Sequence, residues 1–246
     1  MKLQIEQLSI AFSDQQVLKE FSMSIDEGEF VAIIGTSGCG KSTLLNVLAG
    51  SLSAQSGSIR VDQQEINGVS SHFAYMPQND LLLPWTTILD NVCLYGALKH
   101  QKKAAKEQAL KAWKRFGLDG YESAYPHELS GGMRQRAAFL RTALCDADIL
   151  LLDEPFGALD VITRNEMQDW LLQLRNDLHK TILLVTHDIE EALYLADRIL
   201  ILGNRPASII RQIDLREVTK SRDWLFEQAE LKRDIHRLLQ ETHNDA

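Results

Sequence analysis

Gly35-Thr36-Ser37-Gly38-Cys39-Gly40-Lys41-Ser42-Thr43 lies between an apolar run, Phe30–Ile34, and an apolar segment, Leu44–Ala49, that reads as a helix ending at Gly50. Glycines let a backbone curl so that successive N–H groups point inward, and a helix N-terminus adds partial positive charge, so this segment is a cradle for phosphate. Lys41 suits the β and γ phosphates of a nucleotide, and Ser42 suits a Mg²⁺ bound with them. Further along, Ile149-Leu150-Leu151-Leu152 runs into Asp153-Glu154, two carboxylates at the end of a buried strand. Adjacent anions there need a cation: Asp153 suits the metal's ligand shell, and Glu154 a water attacking the γ-phosphate. A third apolar run, Ile182–Val185, ends in Thr186-His187-Asp188. His187 can donate to the same phosphate, and Asp188 is placed to cap the helix Ile189–Ala196.

These groups act together only if their strands lie parallel in one sheet, with the loops leaving one edge. The order supports this, because each run is short and unalternating and is followed by polar or glycine-rich sequence and a helical pattern. Flanking the first motif, apolar residues alternate at Leu3 and Ile5, over Phe21–Ile25, and at Ile59 and Val61, as expected of half-buried antiparallel strands. From about Thr87 to Asp146 the periodicity is helical, with a turn at Gly117-Leu118-Asp119-Gly120. The lysine-rich stretch Lys99–Arg115 reads as a solvated helix face. Runs at Ile199–Leu202 and Ser208–Ile213, separated by Gly203-Asn204-Arg205-Pro206, return to β character. Leu231, Ile235, Leu238 and Leu239 then sit at helical spacing, predicting a terminal amphipathic helix. The expected organisation is a nucleotide-binding α/β core with an antiparallel β subdomain over 1–86 and 147–215, a helical subdomain over 87–146 and a helical tail over 216–246.

With 246 residues, 45% of them hydrophobic, the chain can bury a large core. A net charge of −8 argues against nucleic acid as a partner. No apolar stretch approaches the roughly 20 residues that cross a bilayer, and no leader pattern opens the chain, which predicts a protein that stays in the cytoplasm. Cys39, Cys93 and Cys145 are too dispersed for a disulfide framework or a metal site and read as reduced thiols that act as small packing residues.

Leu129-Ser130-Gly131-Gly132-Met133 is a second glycine-rich helix entry that a phosphate-loop protein does not need for its own site. Here the sequence resembles the ATP-binding-cassette family, whose signature reads LSGGQ; methionine at Met133 is a mild departure. The resemblance runs from about Leu3 to Arg205. It implies an α/β P-loop NTPase with a RecA-like core, ATP and Mg²⁺ as ligands, and a head-to-tail homodimer in which Ser130, Gly131 and Gly132 complete the partner's site at the γ-phosphate. It also implies roles for Gln78, between the metal-bound nucleotide and a membrane partner, for Asp160 in the interface loop Gly157–Asp160, and for Phe12, stacked on adenine. Ala54-Gln55 departs from the proline common after the first helix. Cys39 stands where many relatives have serine, and a thiol so near a helix N-terminus is a candidate for oxidation.

Leu81-Leu82-Leu83-Pro84-Trp85, continuing to Val92, resembles the import ATPases for nitrate, sulfonates, taurine and pyrimidine precursors. That resemblance implies exposed apolar residues at Leu82, Pro84 and Trp85 for a membrane permease subunit, a separate solute-binding protein, and a peripheral place on the cytoplasmic face of the membrane. Within the group the preference is a thiamine-precursor pyrimidine over a sulfonate or nitrate. A soluble cassette that remodels nucleic acid or ribosomes would be expected to carry paired cassettes, a coiled coil or a basic arm. A non-catalytic scaffold would not need Lys41, Asp153, Glu154 and His187 together.

Overall fold

The computed structural model describes residues 1–13 and 15–244. Strands β1 (Leu3–Phe12) and β2 (Gln15–Ile25) pair antiparallel, and β3 (Phe30–Gly35) leads into helix α1 (Lys41–Leu48). Then come β4 (Ser56–Val61), β5 (Gln64–Glu65) and β6 (Phe73–Met76). The helical stretch comprises α2 (Ile88–Val92), α3 (Leu94–Leu98), α4 (Lys102–Trp113) and α5 (Gly131–Ala143). It is followed by β7 (Ile149–Asp153), α6 (Val161–Leu178), β8 (Thr181–Val185), α7 (Ile189–Leu195), β9 (Arg198–Leu202) and β10 (Ile209–Asp214). Helices α8 (Arg222–Glu227) and α9 (Ala229–Asn244) come last.

The strands make two sheets, a four-stranded one in the order β2-β1-β4-β5 and a six-stranded one in the order β10-β9-β3-β8-β7-β6. In the larger sheet every pairing is parallel except that of β10 with β9. All of β3, β7 and β8 is buried, which is why those runs lack alternation: both faces need cover. The period of two survives in where the side chains go. Phe30, Ala32, Ile34, Leu150, Leu152, Ile182 and Leu184 join the core beneath α2, α5, α6 and α7. Val31, Ile33, Ile149, Leu151, Leu183 and Val185 join the opposite core, filled by α1 and the antiparallel sheet.

Three details differ from the expectations. The edge strand β6 carries no strand signal in the sequence, because it is four residues long and only Ala74 and Met76 are buried. The alternation of β1 breaks between Ile5 and Leu8, where Gln7 takes a left-handed φ of 50° and its amide donates to Ser22 Oγ at 2.9 Å. A second shift lies at Glu20, φ 49°, and a third at Val17, where one extra residue in β2 leaves both Val17 and Leu18 inside, so the strands run longer than their visible pattern. Helix α1 begins at Lys41, three residues before its apolar face. In the tail, Ile235 is buried and Leu231, Leu238 and Leu239 pack beside it on the core under α7.

Candidate active site

Because β3, β6, β7 and β8 are parallel, Gly35–Gly40, Gln78, Asp153-Glu154 and His187 all leave the same sheet edge. Helix α1 covers one face and α6 and α7 the other, so the loop after β3 opens into a crevice between departing connections. A cleft of about 280 Å³ lies there, lined by Ser37, Gly38, Gly40, Lys41, Ser42, Thr43, Gln78, Glu154 and Arg205. Gly38 at φ 79° and Gly40 at φ 122° take conformations costly to other residues, and a Cβ on Gly40 would stand 2.9 Å from Val17 Cγ1.

Lys41 is 7% exposed, and its ammonium donates to the Gly35 and Thr36 carbonyls, each at 2.8 Å. Thr36 Oγ1 donates to Asn204 Oδ1 at 2.9 Å, which ties the phosphate loop to the β9–β10 turn. Cys39 is buried, with Sγ 3.9 Å from the Lys41 ammonium. Cys39 thus packs under the loop rather than facing solvent, as the reading of the cysteines as small packing residues expects, and not as an exposed oxidisable thiol.

Asp153 is 3% exposed and meets the Ser42 hydroxyl and, at 3.5 Å, the Tyr75 hydroxyl. Burial pushes its carboxyl up and the neighbouring Glu154 adds to that, while Ser42 and Lys41 oppose it. A carboxylate held this way is stabilised by a cation. Glu154 has a left-handed φ of 49°, and its amide donates to Val185 O at 2.8 Å. That conformation costs a non-glycine residue energy and is typical of functional sites. Its side chain accepts from Gln78 Nε2 at 3.0 Å and meets His187 Nδ1 at 3.2 Å. Two segments remote in sequence thus converge on one carboxylate.

Ser130 caps α5, accepting from the Met133 amide at 3.3 Å, and Gly131 is exposed beside it. Asp160 caps α6 through the Thr163 amide at 3.0 Å, and a Cβ on Gly132 would lie 3.6 Å from Ala158 O. None of Ser130, Gly131, Gly132 and Asp160 lines the cleft of this chain. Phe12, 48% exposed, pairs with Gln15 at the end of the β1–β2 hairpin. Trp85 is 72% exposed and Pro84 is exposed, but Leu82 is buried in the core under α2 and the exposed neighbour is Leu81. The expected apolar surface therefore loses Leu82: with Leu81 at φ 42° the chain turns so that the following side chain points inward.

Several supporting residues gave no signal in the sequence. Arg164 donates to Leu159 O at 3.3 Å and to Asp188 Oδ2 at 3.4 Å, and lies 3.8 Å from Glu191, whose other oxygen accepts from Thr186 Oγ1 at 2.7 Å. The loop before α6 is thereby joined to the residues on either side of His187. Gln135 of α5 donates to Pro155 O at 3.1 Å, beside Glu154. Arg205 lines the cleft from the β9–β10 turn. Only the turn composition of Gly203-Asn204-Arg205-Pro206 could have drawn attention to it.

Residues 18–157 match the ABC transporter family. The chain belongs to that family. This cassette is an ATP-binding, ATP-hydrolysing enzyme. It is 44% identical over 244 residues to the formylaminopyrimidine import ATP-binding protein ThiZ of Halalkalibacterium halodurans, with 96% of each chain covered. It is 41% identical over 217 residues to the taurine import ATP-binding protein TauB of Yersinia pestis, covering 87% of the cassette and 84% of TauB. The aliphatic sulfonates import ATP-binding protein SsuB of Bacillus cereus is 42% identical over 219 residues, with 87% and 86% covered. A solved dimeric ATP-binding cassette in a post-hydrolysis state with ADP and Pi superposes at a TM-score of 0.77 and 28% identity, covering 87% of this chain and 99% of that one. Among the described residues no helix is long and apolar enough to cross a membrane.

Proposed function

We propose that this cassette is the ATPase subunit of a membrane importer, working as a head-to-tail homodimer on the cytoplasmic face of the membrane. Glu154 orients and deprotonates the attacking water. Gln78 and His187 hold that carboxylate in place, and His187 also donates to the γ-phosphate. The ammonium of Lys41 leaves its carbonyl partners for the β and γ phosphates, while Ser37, Gly38, Gly40 and Thr43 shape the cradle and Phe12 stacks on adenine. Ser42, Asp153 and Gln78 would hold Mg²⁺, and the buried, cation-seeking carboxyl of Asp153 fits that assignment. When bound, the ion neutralises phosphate charge. Ser130, Gly131 and Gly132 close the partner's site through a helix N-terminus, with the loop ending at Asp160 lying between the copies. Residues 87–146 act as one helical unit, with Leu81, Pro84 and Trp85 facing the permease and a separate binding protein delivering the solute.

The importer reading is carried by the 44% identity to ThiZ across 96% of both chains, and it favours a formylaminopyrimidine as the solute. Taurine or an alkanesulfonate is the second reading, favoured by the 41% and 42% identities to TauB and SsuB. The test is co-expression with candidate permease subunits, followed by uptake of labelled formylaminopyrimidine, taurine and alkanesulfonate into proteoliposomes with a matching binding protein. ATP-dependent uptake of the first alone supports the preference. Failure to co-purify with any integral membrane subunit overturns the importer reading.

A further inference from the structure

Two cations line the cleft among the described residues: Lys41, which belongs to the phosphate loop, and Arg205, which does not. Arg205 comes from the β9–β10 turn, and its Nε donates to the Gly38 carbonyl. Its Nη1 donates to Gln15 Oε1 at 2.9 Å. Gln15 opens β2 opposite Phe12 at the hairpin end. A guanidinium has five N–H donors. Two are engaged here, while Nη2 has no partner among the described residues and lies 3.6 Å from where a Cβ on Gly38 would stand. The turn that carries it is itself anchored, by Thr36 Oγ1 on Asn204 Oδ1 at 2.9 Å.

We propose that Arg205 is a direct ligand of the nucleotide, the Nη2 edge of its guanidinium gripping the α and β phosphates from the side of the cleft facing the Phe12 hairpin. The position decides which phosphates. Gln78, Glu154 and His187 mark the γ end, where hydrolysis takes place, and Arg205 is bonded to neither Glu154 nor Gln78 but to Gly38 and to the hairpin of Phe12. A forked cation between an adenine platform and a phosphate loop meets the diphosphate that ATP and ADP share. This inference rests on the reading of the cleft as the nucleotide site with Phe12 at its adenine end.

The test is titration of Mg-ADP and of a non-hydrolysable Mg-ATP analogue into the intact protein, for the parent, Arg205→Gln, Arg205→Lys and Lys41→Ala. Arg205→Gln keeps a donor for Gly38 but loses the charge. It should weaken both nucleotides by the same factor, about tenfold, as expected for one lost charge-assisted contact. Arg205→Lys should recover most of that loss, and the melting temperature without nucleotide should be that of the parent in both variants. Unchanged affinity in Arg205→Gln, or a loss confined to the ATP analogue, overturns the assignment. So does a fall in melting temperature of the nucleotide-free protein that accounts for the whole effect, since that would make Arg205 a clip for the loop. A parent protein that binds neither nucleotide, or Lys41→Ala binding both as the parent does, would instead overturn the nucleotide site itself.

Discussion

Glu154 is a carboxylate whose neighbours leave it little freedom, with Gln78 on one oxygen, His187 on the other and a left-handed backbone beneath. Glu154→Gln retains the shape and removes the base, so hydrolysis should fall by about 10²–10⁴-fold while nucleotide binding persists. A single-turnover assay beside a binding titration separates the two, and residual hydrolysis near the parent rate would dismiss Glu154 as the base. Glu191 offers a pH test. Burial pushes its carboxyl from an ordinary 4.5 up to about 7, against the opposing bond from Thr186 and the charge of Arg164. Its folded value is raised, so its contribution to stability is complete below the unfolded value and is lost as pH climbs through the folded one. Glu191→Gln, neutral throughout, should gain in melting temperature relative to the parent between about pH 5 and about pH 8; a difference constant over that range would refute the shift. Lys41, Asp153, Glu154 and His187 were legible as candidates because each lies just past an apolar run that reads as a buried strand. Arg164, Glu191 and Arg205 were not, because their partners are loops brought near only by folding.

Among the elements, the 83–87 turn depends on one buried side chain. Asn91 accepts from the Leu83 amide at 2.7 Å and donates to Leu83 O at 3.1 Å, Thr86 Oγ1 at 2.8 Å and Thr87 O at 3.0 Å. Pro84 and Trp85 project from that turn. Asn91→Ala strands these groups and should cost about 1–3 kcal/mol in stability, seen as a lower denaturation midpoint and faster cleavage at the turn by protease. Trp85→Ala, which removes only exposed surface, should leave the midpoint and the ATPase rate of the isolated subunit alone and weaken retention by the permease in a pull-down. Undiminished retention by the permease would dismiss the ring from that contact. The family resemblance implied an apolar patch here and wrongly placed Leu82 on it, where Leu81 faces out. That was decided by the left-handed Leu81 backbone, which burial periodicity does not encode. Strand β6 escaped notice for a related reason: an edge strand with two buried residues carries too short an alternation to read.

For the whole molecule, the decisive feature is that Ser130, Gly131 and Gly132 stand outside the chain's own cleft although the sequence ties them to the nucleotide. In the proposed head-to-tail homodimer a second copy would supply them. Glu154→Gln with Mg-ATP should therefore elute as a dimer by light scattering and as a monomer with ADP, and adding Ser130→Arg should return it to monomer. A double variant that still dimerises on ATP would end the shared-site mechanism. Helix α5 gives that closure a mechanical consequence. Its N-terminus carries Ser130, its next turn holds Pro155 O through Gln135, and Arg134 and Arg141 grip Asp80 at 3.0 and 2.7 Å, in the segment leading to Trp85. The ring of Phe139, on the same helix, packs edge-on to Phe156 and Trp170 at 5.7 and 5.4 Å. From Ser130 to Arg141 the helix spans only about 16 Å of unbroken hydrogen-bonded backbone. Such a strut has no slack, so movement at one end arrives at the other without delay. If the proposed dimer closes on nucleotide and shifts the Trp85 turn, the two events should share one relaxation time, so that a fluorophore on each traces a single exponential; two separate relaxation times would refute the coupling.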